Sequence, residues 1–137
     1  MDGATREARE AVGRRFFLST LAGAPDSDAM APEFVYEQHF GNTAGVYVGE
    51  SGMRRWVEAF YEIWDEASGD VRSFRHETDR FCAEFSVLVR GGQTGIEVEL
   101  KGFTVMVFDD DGRLTRMDNF NEVDEAERAL RGSRPGT

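Results

Sequence analysis

Four polar side chains on two predicted strands are of the types that carry out proton transfer. Tyr36 and His39 lie on the first predicted strand, and Asp118 and Asn119 lie on the last. A histidine or a carboxylate can abstract a proton near neutral pH, and a phenol or an amide can donate hydrogen bonds to the oxyanion that forms. Together these residues indicate acid–base chemistry on a small molecule. The alternative for His39 is a partly exposed strand residue at a rim.

Strand register decides which of the two residues on the last strand can act. Successive side chains alternate between the faces of a sheet, so Asn119 shares a face with Met117, and Asp118 shares the other face with Phe120. An amide cannot take a proton at neutral pH. A bulge or a one-residue slip would bring Asp118 to the face of Asn119, so both residues stay candidates.

Glu84 and His76 each have a pocket-facing and an outward-facing interpretation. The uninterrupted apolar row that runs in alternation from Phe81 to Val89 predicts that this side of the strand faces the core. We therefore expect Glu84 on the opposite, convex side, in solvent or at a dimer interface, although on the cavity side it would be a desolvated carboxylate. His76 would face a pocket if Phe74 does, and we expect the outward position instead.

Other kinds of functional site are not indicated by the sequence. The single cysteine, Cys82, excludes an internal disulfide and a zinc site built from cysteines, and it fits a reducing compartment. The acidic run at 109–111 leads into Gly112 and so predicts a hairpin turn rather than a cation site. The two histidines come without a suitable carboxylate triad. We therefore expect neither a metal ion nor a cofactor.

The composition narrows the class of protein. The chain has 137 residues, of which 40% are hydrophobic, which is typical of one globular domain. Its formal net charge of −10 argues against binding to nucleic acid or to an anionic membrane. No apolar run approaches the ~20 residues of a membrane span, so we expect a cytoplasmic protein. The expected organisation is one domain over residues 1–131 and a loose tail over 132–137.

Hydrophobic spacing predicts the elements that would position these side chains. Helical periodicity is found over residues 5–22 and 51–67, and a short third helix is predicted over 124–130. Strands are predicted over 34–40, 71–78, 81–90, 96–108 and 114–120. Helices that cover a long antiparallel meander make an α+β domain with room for an apolar pocket. The residues expected to line that pocket are Phe16, Trp56, Phe60, Phe103 and Met117.

This order of elements resembles the nuclear-transport-factor-2-like superfamily, and within it the SnoaL-like polyketide cyclase and limonene epoxide hydrolase group. The motifs that carry the resemblance are Gly49-Glu50-Ser51-Gly52-Met53, Asp79-Arg80-Phe81, the hairpin at 107–114, Phe120 and Glu125-Ala126. The resemblance implies a cone-shaped, curved antiparallel sheet wrapped around helices. It also implies a cofactor-independent enzyme of the cyclase, isomerase or hydrolase type that acts on a hydrophobic substrate.

The chain departs from this group at the positions that carry its chemistry. The cyclases and epoxide hydrolases have a key aspartate seven residues after the turn glycine, where this chain has Asn119. The Arg-x-Asp pair of the epoxide hydrolases is missing from 81–86, and the tyrosine and aspartate of ketosteroid isomerase correspond to Phe16 and Gln38. The alternative to an enzyme is therefore a non-catalytic ligand-binding or interaction module, or an inactive partner of another enzyme. We expect a homodimer in each case.

Overall fold

The computed structural model describes residues 3–92 and 94–132, with side chains from Thr5 onward. Among these residues the α-helices are α1 (Gly3–Leu21), α2 (Gly49–Ile63) and α3 (Val123–Leu130). The strands are β1 (Met30–Gln38), β2 (Gly45–Val48), β3 (Glu66–His76), β4 (Arg80–Arg90), β5 (Glu97–Phe108) and β6 (Leu114–Phe120). Apart from residue 132, the tail predicted at 132–137 lies outside the described residues.

The strands form one curved, unclosed sheet in the order β2-β1-β6-β5-β4-β3. Neighbouring strands run antiparallel except for β1 and β6, which pair in parallel. This parallel pairing sets Glu37 opposite Asp118 and Gln38 opposite Asn119. The predicted α+β class with a curved sheet and helices is confirmed, and one parallel pair is added to the expected antiparallel sheet.

Helices cover both faces of the sheet. The face that carries α1 and α2, here called the inner face, holds the larger apolar core, in which Phe16 packs edge-to-face on Phe34 with ring centroids 5.4 Å apart. The opposite face, here called the outer face, carries α3, which packs on Cys82, Val105 and Phe120. A residue on a strand therefore faces one of two separate environments, and its position in the alternation decides which.

Strand β4 has the alternation that its sequence predicts. Its row of apolar residues is buried against α1 and α2, whereas Glu84 and Leu88 are exposed on the other side. The expectation that Glu84 lies away from the core is confirmed. The physical reason is the period of two in a strand, which gives every second side chain the same surroundings.

A bulge in β3 overturns the expected position of His76. The pairing with β4 changes register between Ser73 and Arg75, so that Phe74 is an extra residue and the alternation of faces is interrupted. His76 consequently faces α1, where its Nε2 atom lies 2.6 Å from a carboxylate oxygen of Glu10. The outward position predicted for His76 is wrong because strand alternation does not continue across a bulge.

The second helix is shorter than its periodicity predicts. It ends at Ile63, and the backbone N–H of Asp65 already donates to the carbonyl of Arg90 on β4 at 2.8 Å. Ala67 thus belongs to β3, because one small apolar residue fits a helical and a strand period equally well. The hydrophobic spacing does not predict β2, a four-residue edge strand. No described helix has the length and apolar character needed to cross a membrane.

Candidate functional site

A cavity of about 270 Å³ lies between α1, α2 and the inner face of the sheet. Its wall is mainly aromatic and aliphatic, with Phe17 from α1, Trp56 and Phe60 from α2, and Phe85 and Val87 from β4. The rings of Trp56 and Phe60 are stacked, with centroids 4.9 Å apart. The volume is slightly below the ~300–1,000 Å³ of typical small-molecule sites, so a compact organic ligand would fit.

Three neutral polar side chains form a hydrogen-bonded cluster at one end of the cavity. Tyr36 and Gln38 come from β1, and Asn119 comes from β6 beside them. The Nδ2 of Asn119 donates to the Tyr36 hydroxyl at 2.9 Å and to the Oε1 of Gln38 at 3.1 Å, and the Tyr36 hydroxyl donates to the same Oε1. Gln38 and Asn119 reach the cavity wall, so this end of the pocket is polar.

Tyr36 stays protonated in this cluster. Burial raises the pKa of Tyr36 well above its usual range because the phenolate would lose its hydration, and the nearby Tyr47 adds to the shift. The hydroxyl therefore acts as a hydrogen-bonding group rather than as a base. Of the described residues that line the cavity, none carries a carboxylate, an imidazole, a thiol or a cationic side chain. The polar groups of the cavity wall are therefore uncharged hydrogen-bonding groups.

Two polar atoms of residues that line the cavity are themselves inaccessible to solvent and have no hydrogen-bond partner among the described residues. They are the Nε1 of Trp56 and the Oδ1 of Asn119, one a donor and the other an acceptor, and both are buried. The Oγ1 of Thr104, which lies opposite Asn119 in the sheet, is likewise buried without a partner. Buried polar atoms usually have a partner, so these atoms require an explanation.

A second polar cluster lies on the outer face, directly behind the first. Arg116 donates to both oxygens of Asp118, at 2.8 and 2.9 Å, and to Glu37 at 2.7 Å. The Nε2 of His39 lies 2.9 Å from the Oδ1 of Asp118, and the imidazole stacks on Phe120 with centroids 4.4 Å apart. Burial opposes the charge of Arg116, but its bonds to the two carboxylates raise its pKa. The four charged or ionisable side chains form one connected network.

The structure divides the four residues predicted to be catalytic between the two faces. Tyr36 and Asn119 meet at the polar end of the cavity, whereas His39 and Asp118 meet in the outer network. The register between β1 and β6 is continuous from Val35 to Gln38, so no bulge turns Asp118 inward. The sheet itself separates the ionisable pair from the cavity.

Three of the five predicted lining residues lie outside the cavity wall. Trp56 and Phe60 belong to the wall, but Phe16 and Met117 are buried in the core beside it. Phe103 packs against the outer cluster, because its neighbour Thr104 occupies the inward position on β5. Direct contact of these three residues with a ligand therefore stays a prediction, although none of them is among the residues that line the cavity.

Phe17 and Gln38 line the cavity although neither was predicted from the sequence to do so. Phe17 lies on the same apolar stripe of α1 as Phe16, but its ring reaches the cavity and contacts Phe85 at a centroid distance of 6.0 Å. Gln38 shares a face of β1 with Tyr36, so alternation alone could have placed it at the site.

The outer network also contains a potential set of metal ligands. One ligand atom each from Glu37, His39 and Asp118 lies within 4.8 Å of the other two. The guanidinium of Arg116, however, donates to both carboxylates. A cation there would face a fixed positive charge, so the ion pairs account for this cluster and we assign no metal to it.

Comparison with known proteins supports the fold. The sequence model of a family described as "SnoaL-like domain" matches residues 14–117. No curated protein sequence matches the chain.

Solved structures resemble the chain over most of its length. TerC, co-crystallised with polyporic acid, has a TM-score of 0.70 at 16% identity and covers 92% of this chain and 99% of its own. A candidate SnoaL-like polyketide cyclase from Jannaschia sp. CCS1 has a TM-score of 0.67 at 15% identity, with 90% and 92% covered. Rv0760c from Mycobacterium tuberculosis, in complex with estradiol-17beta-hemisuccinate, has a TM-score of 0.65 at 13% identity, with 85% and 95% covered. At these identities the likeness shows the fold.

Proposed function

Because the chain belongs to the SnoaL-like domain family, we propose that it binds a hydrophobic small molecule in the cavity between α1, α2 and the sheet. The observation that carries this proposal is the apolar wall with one polar end, which is the usual design of a small-molecule site. Two proteins of similar fold, TerC and Rv0760c, hold small organic ligands in their crystal structures, which supports the same use here.

The proposed activity is recognition of the ligand by neutral groups. The cluster of Tyr36, Gln38 and Asn119 makes one end of the cavity polar without placing a charge there, which suits a ligand that has a neutral polar group. Removal of a proton would need a base, and the described residues that line the cavity supply none. The polyketide cyclase-type enzyme that the resemblance implies is the second candidate, and it would use Asp118 and His39.

Filling the cavity is expected to abolish ligand binding. Val87 lies in the cavity wall, and the Val87→Trp variant would place an indole in the space that the ligand needs. With the neutral fluorescent probe N-phenyl-1-naphthylamine, we expect saturable binding by the native protein and an affinity at least tenfold lower in the variant, in line with the loss of apolar burial. Fluorescence titration measures both.

The matched control is Ile96→Trp. Ile96 is exposed and does not line the cavity. This variant should bind the probe as the native protein does. Equal binding by a folded Val87→Trp variant, judged by circular dichroism, would mean that the probe site is elsewhere and would refute the proposal.

We also propose that the chain forms a homodimer through the outer face. Phe74 and Leu88 are exposed there, and Phe74 contacts Phe103 with centroids 6.2 Å apart. Large apolar side chains that stay exposed on a sheet face favour a protein interface there. Light scattering at micromolar concentration is expected to give a mass of twice 15.4 kDa. A monomer mass under these conditions would contradict the proposal.

A further inference from the structure

A second cavity, of about 250 Å³, lies between α1 and the edge strand β3 and is here called the α1–β3 cavity. Its accessible wall comes from Glu10 and Arg14, which lie one turn apart on α1, and from Val71 and Ser73 on β3. Two residues of β4 that also line it are buried. The α1–β3 cavity shares no lining residue with the cavity between α1, α2 and the sheet, so it is a separate place on the molecule.

The bulge in β3 brings a histidine to one of these wall residues. Because Phe74 is an extra residue in the strand, His76 faces α1, where its Nε2 lies 2.6 Å from the Oε1 of Glu10. A carboxylate only accepts, so the imidazole donates through Nε2. The side chain of His76 is 14% exposed and that of Glu10 is 42% exposed, so the carboxylate stays accessible from the solvent. Bulges often re-aim a side chain beside a functional site, and this one orients a carboxylate at a cavity.

Glu10 and Ser73 leave two acceptor atoms available on opposite sides of the α1–β3 cavity. The Oε1 of Glu10 accepts from His76, whereas no described residue donates to its Oε2. The Oγ of Ser73 has no hydrogen-bond partner among the described residues either, and a hydroxyl oxygen can accept as well as donate. A group with several hydrogen-bond donors could therefore bridge α1 and β3.

The positive charges near the α1–β3 cavity are compensated or directed elsewhere. Arg14 donates to both oxygens of Asp70 at 2.9 Å, and these bonds hold the pKa of Asp70 below its usual range, so the two charges balance. Arg72 also lines the cavity, but strand alternation places its side chain on the outer face, opposite Glu84. Among the described lining residues, Glu10 is left with an uncompensated charge that faces the cavity. The net charge of −10 also favours the approach of cations.

We propose that the α1–β3 cavity binds a small primary amine in its protonated form. The ammonium group donates to the Oε2 of Glu10 and to the Oγ of Ser73, and a short apolar body lies against Val71. An ammonium group has three N–H donors, which suits two acceptors on facing elements. The hydrogen bond from His76 keeps the carboxylate of Glu10 in position. This site is independent of the function proposed above, because the two cavities have no lining residue in common.

Proton NMR of the two histidines of the chain tests the proposal. The His76→Gln and His39→Gln variants assign the two imidazole C2–H signals. The ligands 3-methylbutylamine, 3-methylbutan-1-ol and 3-methylbutanoate have similar branched bodies and differ in the polar group. In titrations of the full chain at pH 7 and constant ionic strength, we expect the amine to shift the His76 signal saturably, with an affinity about fivefold higher than that of the alcohol. The carboxylate should not shift it, and the His39 signal should respond to none of the three.

The Glu10→Gln variant isolates the charge of the carboxylate. Glutamine keeps an oxygen that can accept from His76, so the fold should be retained, whereas the affinity for the amine should fall about fivefold. Glu7→Gln is the matched control, because Glu7 is exposed on the same helix and does not line the α1–β3 cavity. It changes the net charge by the same amount and should bind the amine as the native protein does.

Each alternative result contradicts a particular statement. Absence of a saturable shift of the His76 signal with the amine would refute the site. Equal affinity for the amine and the alcohol, or native affinity for the amine in Glu10→Gln, would overturn the proposed ligand class. Competition between the amine and N-phenyl-1-naphthylamine would mean that the amine enters the cavity between α1, α2 and the sheet, and would also refute the site.

Discussion

Replacing Phe16 by alanine is expected to lower the free energy of unfolding by about 3–5 kcal/mol. The side chain is 0% exposed, and its ring packs edge-to-face on Phe34 in the middle of the core between α1 and the sheet. Truncation removes the buried ring and leaves a space that the surrounding aromatic residues cannot close without moving. Urea unfolding followed by circular dichroism measures the change.

Two leucine variants test which of two neighbouring phenylalanines contributes to ligand binding. Phe16→Leu should cost less stability and leave the affinity for N-phenyl-1-naphthylamine unchanged, because Phe16 is outside the wall. Phe17→Leu, at the next position of α1, should lower that affinity because Phe17 lines the cavity. If both variants lost affinity equally, Phe16 would contact the ligand, as the sequence analysis predicted.

Replacing Asp118 by alanine is expected to cost about 2–3 kcal/mol of unfolding free energy and to leave ligand binding unchanged. Its side chain is 7% exposed and accepts two hydrogen bonds from Arg116. Arg116 keeps its bond to Glu37 in the variant, so the loss should be smaller than for an isolated buried ion pair. Urea unfolding and probe titration test the two parts of this expectation.

Asp118→Asn is the control for shape. It keeps the size of the side chain and one oxygen acceptor for Arg116, so it should be less destabilising than Asp118→Ala. A large loss of ligand binding or turnover in Asp118→Asn, with stability near the native value, would instead support the second candidate function. In that case the outer network would take part in chemistry.

Much of the local structure could be predicted because it depends on short-range periodicity. The strand predicted at 114–120 has the observed bounds of β6, and the apolar row of β4 faces the core as expected. Alternation also predicted that Asn119 and Asp118 face opposite ways. The prediction for His76 was wrong because of the bulge that contains Phe74. The hydrophobic spacing of the sequence does not reveal such an extra residue.

The membership of the site could not be predicted, because it depends on strands that are distant in the chain. Asn119 and Tyr36 are separated by 83 residues, and they touch because β1 and β6 pair in parallel. The same pairing brings His39 to Asp118 on the other face. Four residues that looked like one catalytic set thus became a neutral cluster in the cavity and an ionic network behind it.

The amino-acid sequence by itself determined the helices and most strands, the α+β class and the likeness to SnoaL-like domains. The reason is that the spacing of residues along a helix or strand determines which side chains lie on the same face. Only the tertiary structure decided that the face of Asn119 is the inner one, since that depends on where α1 and α2 pack. The charge of Asp118 lies behind the sheet, and the cavity contains an amide at the corresponding position of β6. Which of these two residues faces the cavity depends on packing between distant parts of the chain. The residue types around positions 118 and 119 do not determine it.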